Sequence, residues 1–373
     1  MKVLFVASPF KARFFEKMIP HFSKRMTCAI ITAKCPAKEN PPKSAKWRRV
    51  GFRTKTLLLN MIVPFRKQLQ EGILEFAPDL IYTDCAPYSS EIKLLSLRTL
   101  PRVPHIIHLR GNWWTEYLAW FKRTSWRNRV FNSPVYFRNW HALATCNVVT
   151  PICRWLEKEV KRHLPWVETN VVYQGVDPSL FPPSKDGYAL EHPSVAIIQN
   201  HTIYPKVRGL IRFKQVIEAL PSVHFYITTG EAWSEGHFGE VKEALGPLRN
   251  VNFLDGVFWP NGVRDLLAGC DVYVLATGLD SCPTTVLEAG LMGKPVVASH
   301  VGGVPEIIVQ GKTGWTVSND DRKGWMEKLE MLTADENYAN KIGRCGHEWV
   351  RQNFRWEVIS RRVEEICTSA MNA

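Results

Sequence analysis

The sequence predicts an α/β protein of two domains, each with a parallel sheet covered by helices on both faces. Short apolar runs alternate with longer amphipathic segments, and this alternation restarts near the middle of the chain. The length of 373 residues exceeds what one hydrophobic core ordinarily organises. The composition, with 45% hydrophobic and 22% charged residues, is typical of a folded globular protein and excludes a disordered one.

Ten apolar runs are predicted to form the strands of these two sheets. Those of the first half are Val3–Ala7, Cys28–Thr32, Leu80–Thr83, His105–Leu109 and Val148–Pro151. Those of the second half are Val195–Gln199, His224–Thr228, Val251–Leu254, Val272–Ala276 and Pro295–Ser299. The turn-rich segment Val171–Phe181 and the prolines after it indicate a link between domains. We therefore expect Rossmann-like domains at 1–185 and 186–353, facing across a ligand-binding cleft.

The most informative segment runs from Cys270 to Val317 and reads as strand, loop, helix, strand, glycine loop and helix. Pro283 fits the first position of the first helix, and Gly293 closes it. The free N–H groups and the dipole of this helix start form a potential anion site, which Asp280 and Glu288 flank. An anion site between two carboxylates suits a phosphate that carries a polyhydroxylated group on each side. A nucleotide diphosphate sugar has this arrangement of groups and is the ligand that the segment predicts.

The same segment resembles the donor site of retaining glycosyltransferases of family 4, which have the two-domain GT-B architecture. Their signature places seven residues between two glutamates, as here between Asp280 and Glu288. The frame continues through the glycine- and proline-containing stretches 293–297, 302–306 and 311–314. One departure is central, because Asp280 stands where the family has glutamate and its side chain is one carbon shorter. In GT-B proteins the C-terminal helix crosses back to the first domain, which is expected here for residues 354–373.

The resemblance implies a role for each residue of this frame. Asp280 would accept hydrogen bonds from the donor sugar, and Glu288 would bind the two ribose hydroxyls. Glu306 matches an acid near the donor sugar. The residues between the two acids would contact the donor as well: Ser281, Cys282, Pro283, Thr284 and Thr285. The alternative is that Asp280 is a solvated loop acid, Glu288 an ordinary helix acid, and Glu306 a complement to a helix dipole.

Two cations are candidates for holding the donor diphosphate. In this loop the family has a Gly-Arg pair followed by a Lys-Gly pair. Here no Gly-Arg pair is present, and Lys206 and Arg208 precede Gly209. Either cation could neutralise the charge that develops on the leaving diphosphate. Arg208 is favoured because it directly precedes the glycine, and a solvated basic loop before a helix at 210–219 is the alternative.

Arg110 is a further catalytic candidate, at the end of the predicted strand His105–Leu109. The family places a donor-side histidine at this position. Arg110 would contact donor phosphate or an anionic acceptor, unless the alignment is shifted and His108 is the match. Ser8-Pro9-Phe10 replaces the family's glycine-rich loop after the first strand. We assign no general base, because in the family's front-face mechanism the leaving phosphate helps to deprotonate the acceptor.

Positive charge is concentrated in the first half of the chain. Residues 1–190 carry a net charge of +17, and residues 191–373 carry −4. The segments Lys43–Lys67 and Gly111–Leu143 interleave aromatic residues with lysine and arginine, which favours an anionic membrane surface. Core packing beneath a solvated basic face is the alternative. No recognisable nucleic-acid-binding module accompanies these segments, so we expect no nucleic-acid partner.

The leading hypothesis is a retaining transferase that moves a hexose-type sugar from UDP or GDP to a hydroxyl of a lipid-linked or anionic glycan acceptor. No apolar run is long enough to span a bilayer, so we expect a cytoplasmic protein, peripheral on the inner face of the membrane. Nine cysteines without a C-x-x-C pair predict free thiols and argue against zinc. The resemblance likewise implies no metal or other cofactor. The alternatives are a nucleotide-sugar epimerase or phosphorylase, or an inactive homologue that serves as a membrane or complex subunit.

Overall fold

The computed structural model has two compact α/β units. It describes residues 1–7, 9–33, 49–52, 73–84, 103–112, 114, 125–184, 186–201, 203–229 and 236–372. The first unit comprises Met1–Gly175 and Trp356–Ala373, and the second comprises Val176–Arg355. The boundary between the two units follows Gly175, whereas the sequence analysis places it after residue 185.

The first unit contains a parallel sheet of seven strands within the described residues, in the order β3-β2-β1-β4-β5-β6-β7. The strands are β1 (Lys2–Ala7), β2 (Thr27–Ala33), β3 (Arg49–Phe52), β4 (Leu80–Asp84), β5 (His105–Leu109), β6 (Val148–Pro151) and β7 (Glu168–Thr169). The helices before the domain link are α1 (Pro9–Met18), α2 (Trp126–Thr145) and α3 (Arg154–His163), and a short 3₁₀ helix covers Ile19–His21. Strands β1, β4 and β5 are buried almost throughout, as expected of a parallel sheet with both faces covered.

The second unit contains a parallel sheet of six strands, in the order β10-β9-β8-β11-β12-β13. The strands are β8 (Ser194–Ile197), β9 (His224–Thr228), β10 (Val251–Leu254), β11 (Val272–Leu275), β12 (Val296–Ser299) and β13 (Gly314–Val317). The helices are α4 (Tyr204–Arg212), α5 (Lys214–Ala219), α6 (Phe238–Leu245), α7 (Asn261–Gly269), α8 (Thr284–Leu291), α9 (Val304–Ile307), α10 (Arg322–Ala334) and α11 (Glu336–Asn353). The strand order reverses between β8 and β11, so the crevice at their carboxyl ends is the expected ligand position.

The ten predicted strands are all present, with ends that differ by at most two residues. Three strands escaped prediction, namely Arg49–Phe52, Glu168–Thr169 and Gly314–Val317. The first follows a basic run, the second has two residues, and the third begins at a glycine. None of them shows the continuous apolar run by which buried parallel strands are recognised.

The C-terminal helix (Trp356–Asn372) packs within the first unit, as the GT-B fold class implies. Its apolar face joins the core of that unit, where Trp356 contacts Phe14 with 5.3 Å between ring centroids. Gly175 packs so closely against the indole of Trp356 that a Cβ at this position would be 2.3 Å from the ring. Among the helices of the described ranges, none combines the length and the apolarity that crossing a membrane requires.

Candidate functional site

A cavity of about 490 Å³ opens at the carboxyl ends of β8, β9 and β11 in the second unit. It lies where the strand order reverses, which is the usual ligand position in a doubly wound sheet. Six of the predicted site residues line it: Lys206, Asp280, Cys282, Pro283, Thr284 and Thr285. The remaining wall includes Ile198, Gln199, Asn200, Thr228, Val257, Trp259, Val263 and Leu275.

Lys206 and Arg208 lie in helix α4 and not in a loop, which corrects the sequence interpretation. Pro205 occupies one of the first two helical positions, where its missing N–H is tolerated, so the helix begins at Tyr204. Positions two apart on a helix are separated by about 200° and cannot face the same way. Lys206 is therefore half-buried at the cavity, whereas Arg208 is exposed and outside its lining.

Three glycines allow the backbone around Asp280 to pack closely. A Cβ at Gly209 would lie 2.1 Å from the carbonyl carbon of Thr277, and one at Gly278 would lie 2.2 Å from the carbonyl oxygen of Pro205. Helix α4 can therefore rest directly on the loop after β11. Gly302 has a φ of +54° and its Cβ would lie 2.0 Å from the carbonyl oxygen of Asp280. These contacts hold the Asp280 loop between α4 and the second glycine loop.

The carboxylate of Asp280 is held by two contacts. Its Oδ2 accepts from Nζ of Lys206 at 2.6 Å, and its Oδ1 accepts from the backbone N–H of Ser281 at 2.9 Å. The side chains of Lys206 and Asp280 are both largely buried, which strengthens their ion pair compared with one at the surface. The structure thus brings one predicted cation and the first predicted acid together at the cavity wall.

Helix α8 begins at Thr284, and Pro283 is its N-cap residue and not its first helical residue. Thr284 and Thr285 are half-buried in the lining, so the first turn of α8, which has free N–H groups, lies at the cavity. The hydroxyl of Tyr273 lies 2.6 Å from Oγ1 of Thr285 and 3.1 Å from the carbonyl oxygen of Ile198. This buried tyrosine links the helix start to the end of β8.

Glu288 lies inside α8 with 2% of its surface exposed, an unusual degree of burial for a carboxylate. Its Oε1 accepts from the indole Nε1 of Trp259 at 2.8 Å, while its Oε2 has no hydrogen-bond partner among the described residues. Burial raises the pKa of Glu288 from 4.5 to about 7, and the hydrogen bond from Trp259 opposes this shift. A hydroxyl-bearing ligand could supply the missing donor to Oε2.

Of the eight wall residues that the sequence did not predict, Trp259 and Gln199 have the clearest chemical interest. Trp259 is 44% exposed and stands in a loop before α7, where a tryptophan next to a proline gives no specific signal. Gln199 is 9% exposed, and neither its Oε1 nor its Nε2 has a hydrogen-bond partner among the described residues. The available signal was a polar residue at the carboxyl end of an apolar strand, a position that faces ligands in parallel sheets.

Ser281 and Glu306 belong to the second unit but are not part of the cavity lining. Glu306 lies half-buried in the first turn of α9. Arg110 belongs to the first unit, where its guanidinium donates to Oε1 of Gln174 at 2.8 Å and stacks over the ring of Phe14. His108 is fully buried there, with Nδ1 3.1 Å from Oγ1 of Thr150. The strand-end position is thus taken by Arg110, and His108 lies in the core.

The aromatic and basic segments are only partly described. Trp113, 115–124 and most of Lys43–Lys67 lie outside the described residues, and so does Ser8. In α2, Trp126 is 69% exposed and Phe137 is 65% exposed. Within the described part of the chain, no group of three or more His, Cys, Asp or Glu side chains could hold a metal ion.

Residues 203–335 match the family model of glycosyl transferases group 1. This match covers α4 and the acid–helix–acid segment, and therefore most of the cavity wall. A curated relative is the alpha-maltose-1-phosphate synthase of Mycolicibacterium smegmatis. The alignment of 295 positions has 25% identity and covers 71% of this chain and 72% of the relative.

Solved structures resemble the chain over nearly its full length. Sucrose-phosphate synthase from Thermosynechococcus elongatus superposes with a TM-score of 0.78 at 15% identity, covering 100% of this chain and 99% of that one. Anabaena HepE in complex with UDP-glucose gives a TM-score of 0.72 at 17% identity, covering 99% and 100%. At such identities the likeness shows the fold, and the family model adds the activity class. The chain therefore has the GT-B fold, and the match of residues 203–335 to glycosyl transferases group 1 supports a GT family 4-like glycosyltransferase.

Proposed function

We propose that the chain transfers a hexose-type sugar, with retention of configuration, from UDP or GDP to a hydroxyl of a lipid-linked or anionic glycan acceptor. The observation that carries this proposal is the pairing of Lys206 with Asp280 in the same cavity wall as the start of α8. A cation and free helix N–H groups suit a diphosphate, and a carboxylate beside them suits sugar hydroxyls. Glu288, further along α8, suits the ribose.

In the proposed reaction the bond between the anomeric carbon and the diphosphate oxygen breaks, and its electron pair stays on that oxygen. The acceptor oxygen forms a new bond to the anomeric carbon on the same face. The acceptor proton passes to the leaving diphosphate, so no protein base is required. Lys206 and the N–H groups at Thr284 and Thr285 would stabilise the charge that develops on the leaving oxygen.

UDP is the first donor to test. HepE, which shares this fold, has been solved with UDP-glucose, and that likeness supports a nucleotide sugar without fixing the base. The apolar cavity wall formed by Val257, Trp259 and Val263 offers a surface on which a base could pack.

For the acceptor, the exposed aromatic face of α2 supports an association with an anionic membrane. Trp126 and Phe137 are eleven residues apart, close to three turns of about 3.6 residues, so they lie on one face. Trp140 is exposed three residues further on, and Arg127 lies over the ring of Trp126. Exposed rings beside cations suit the headgroup level of a bilayer, in a half of the chain with net charge +17.

The donor proposal is tested by incubating the protein with UDP- and GDP-sugars and a panel of glycan and lipid-linked acceptors. Acceptor-dependent release of the nucleoside diphosphate, with a product of retained anomeric configuration, is the expected result. Release that requires inorganic phosphate in place of a glycan or lipid-linked acceptor would indicate a phosphorylase, and interconversion of donor sugars would indicate an epimerase. Nucleotide binding without turnover on any acceptor would indicate an inactive homologue.

The membrane proposal is tested by sedimentation with vesicles of zwitterionic lipid, with and without phosphatidylglycerol. We expect binding to the anionic vesicles that weakens as salt rises, and that falls several-fold in a Trp126→Ser, Phe137→Ser double variant. The matched control is Trp166→Ser, which removes an exposed tryptophan outside α2. No binding to anionic vesicles at low salt would contradict the proposal.

A further inference from the structure

Gln199 is a buried polar side chain in the cavity wall, and the proposed reaction assigns no role to it. It follows β8 by two residues and is 9% exposed. Its carboxamide carries two donors and an acceptor, and neither its nitrogen nor its oxygen has a hydrogen-bond partner among the described residues. Buried polar groups in folded proteins are nearly always paired. An amide left unpaired at a cavity wall therefore points to a partner that enters the cavity.

The position of Gln199 fixes which part of a ligand lies nearest to it. Ile197 of β8 pairs in register with Val274 of β11, so Gln199 stands at the crevice where the strand order reverses. The carbonyl oxygen of Ile198, the residue before it, is 3.1 Å from the Tyr273 hydroxyl, which contacts Thr285 at the start of α8. Gln199 is thus tied to the helix start, where a phosphate group would bind.

Few cations are available near Gln199, so an uncharged hydrogen-bond donor is useful at this position. The loop after β8 contains no Gly-Arg pair, and Arg208 is turned away from the cavity. Lys206 is the cation of α4 that lines the cavity, and it is already shared with Asp280. A primary amide can donate to a phosphoryl oxygen and at the same time accept from a sugar hydroxyl. It adds such contacts without adding charge.

We infer that Gln199 is a donor-binding residue whose carboxamide binds the diphosphate–sugar end of the nucleotide sugar and not its nucleoside end. This inference rests on the proposed function, because it needs a nucleotide sugar in the cavity. The Nε2 group donates to a phosphoryl oxygen, and Oε1 remains available to a hydroxyl of the transferred sugar. Gln199 thereby sets the preference for diphosphates over monophosphates.

The test compares dissociation constants of UMP, UDP and UDP-glucose for the wild type and for Gln199→Leu, measured by calorimetry. GMP, GDP and GDP-mannose replace them if the wild type prefers guanine. Leucine keeps a similar volume but removes both hydrogen-bonding ends. The matched control is Gln215→Leu, the same change at an exposed position of α5.

For Gln199→Leu, UDP and UDP-glucose should bind about tenfold to a hundredfold more weakly, the range for losing a hydrogen bond to a charged group. UMP should change less than about threefold, and Gln215→Leu should bind all three ligands as the wild type does. Gln199→Glu, which keeps the shape and adds a negative charge, should lose more affinity for UDP than Gln199→Leu does. It also provides the readout if Gln199→Leu does not fold.

Two outcomes would overturn the inference while leaving the proposed function in place. The first is that both variants bind UDP as tightly as the wild type does. The second is that Gln199→Leu lowers the affinity for UMP as much as the affinity for UDP, which would place Gln199 at the nucleoside end. If the wild type bound no nucleoside diphosphate, the proposed function itself would fail. The wild-type measurement therefore separates the two failures.

Discussion

Nζ of Lys206 lies 2.6 Å from Oδ2 of Asp280, although 74 residues separate them in the chain. The contact exists because α4 rests directly on the loop after β11 through Gly209 and Gly278. Asp280 is folded back onto Lys206 and the Ser281 N–H, and a side chain of this length reaches both without leaving its loop.

Replacing Lys206 should impair turnover far more than replacing Arg208. Lys206→Met removes the cavity cation and leaves Asp280 without its ion-pair partner, so we expect kcat/KM to fall about a hundredfold or more. Arg208→Met changes an exposed side chain on the other face of the same helix. In steady-state assays the fold-decrease in kcat/KM should be at least ten times smaller for Arg208→Met than for Lys206→Met. Equal losses would contradict the assignment of Lys206.

Alanine at Gly209 should disrupt the site through the backbone. The added Cβ would lie 2.1 Å from the carbonyl carbon of Thr277, so α4 must move away and separate Lys206 from Asp280. We expect the free energy of unfolding to fall by about 2 kcal/mol or more, together with a loss of activity. Gly239→Ala is the control, since nothing lies within 4 Å of a Cβ there. That change should be neutral or slightly stabilising in denaturant titrations.

Glu288 should make stability fall with rising pH. Its pKa is about 7 in the folded protein and 4.5 ordinarily, so between these values the folded state binds more protons than the unfolded state. The contribution of this group to stability is therefore greatest below about pH 4.5 and declines until about pH 7. The decline amounts to about 3 kcal/mol by the 1.36 kcal/mol per pKa unit relation.

The corresponding measurement compares melting temperatures of the wild type and Glu288→Gln at pH 5 and pH 8. Glutamine mimics the protonated side chain, so the variant should melt near the wild type at pH 5 and clearly above it at pH 8. If the difference between the two proteins were the same at both pH values, Glu288 would not titrate in this range.

Trp259→Phe should weaken nucleotide binding and shift its pH dependence. The variant keeps an aromatic ring but loses the N–H that Glu288 Oε1 accepts at 2.8 Å, so the pKa of Glu288 should rise further. Because ribose hydroxyls donate best to an ionised carboxylate, nucleotide affinity should fall about threefold to tenfold at pH 7. Much of it should return at pH 8.5. Phe258→Leu is the control, an exposed aromatic of the same loop that does not line the cavity.

The fold was predictable because buried parallel strands leave long apolar runs. Val272–Leu275 and His105–Leu109 were found for this reason, and Gly293 marked a helix end correctly, with its φ of +69°. The start of the helix Tyr204–Arg212 was taken for a loop as far as Gly209, because Pro205 and two cations interrupt the apolar pattern there. Its helical phase decides that Lys206 and not Arg208 faces the cavity, and the motif spacing alone did not contain that information.

The remaining parts of the site depend on contacts between distant segments. Trp259 reaches Glu288 from a loop 29 residues away, and no local pattern announces such a hydrogen bond. Gln199 became a candidate only when its burial and the missing partners of its amide were known. The two acids, in contrast, were recognisable because their spacing and the surrounding frame resemble the family signature.

We propose that this cavity binds a nucleoside diphosphate with Glu288 at the ribose. The most direct test is calorimetric titration of UDP and GDP into the wild type and into Glu288→Ala, with the corresponding 2′,3′-dideoxy nucleotides as ligands lacking the diol. We expect the wild type to bind one of the two nucleotides and to discriminate at least tenfold against its dideoxy form, and we expect Glu288→Ala to lose that discrimination. A wild type that binds neither nucleotide, or that binds the dideoxy form equally well, would contradict the account.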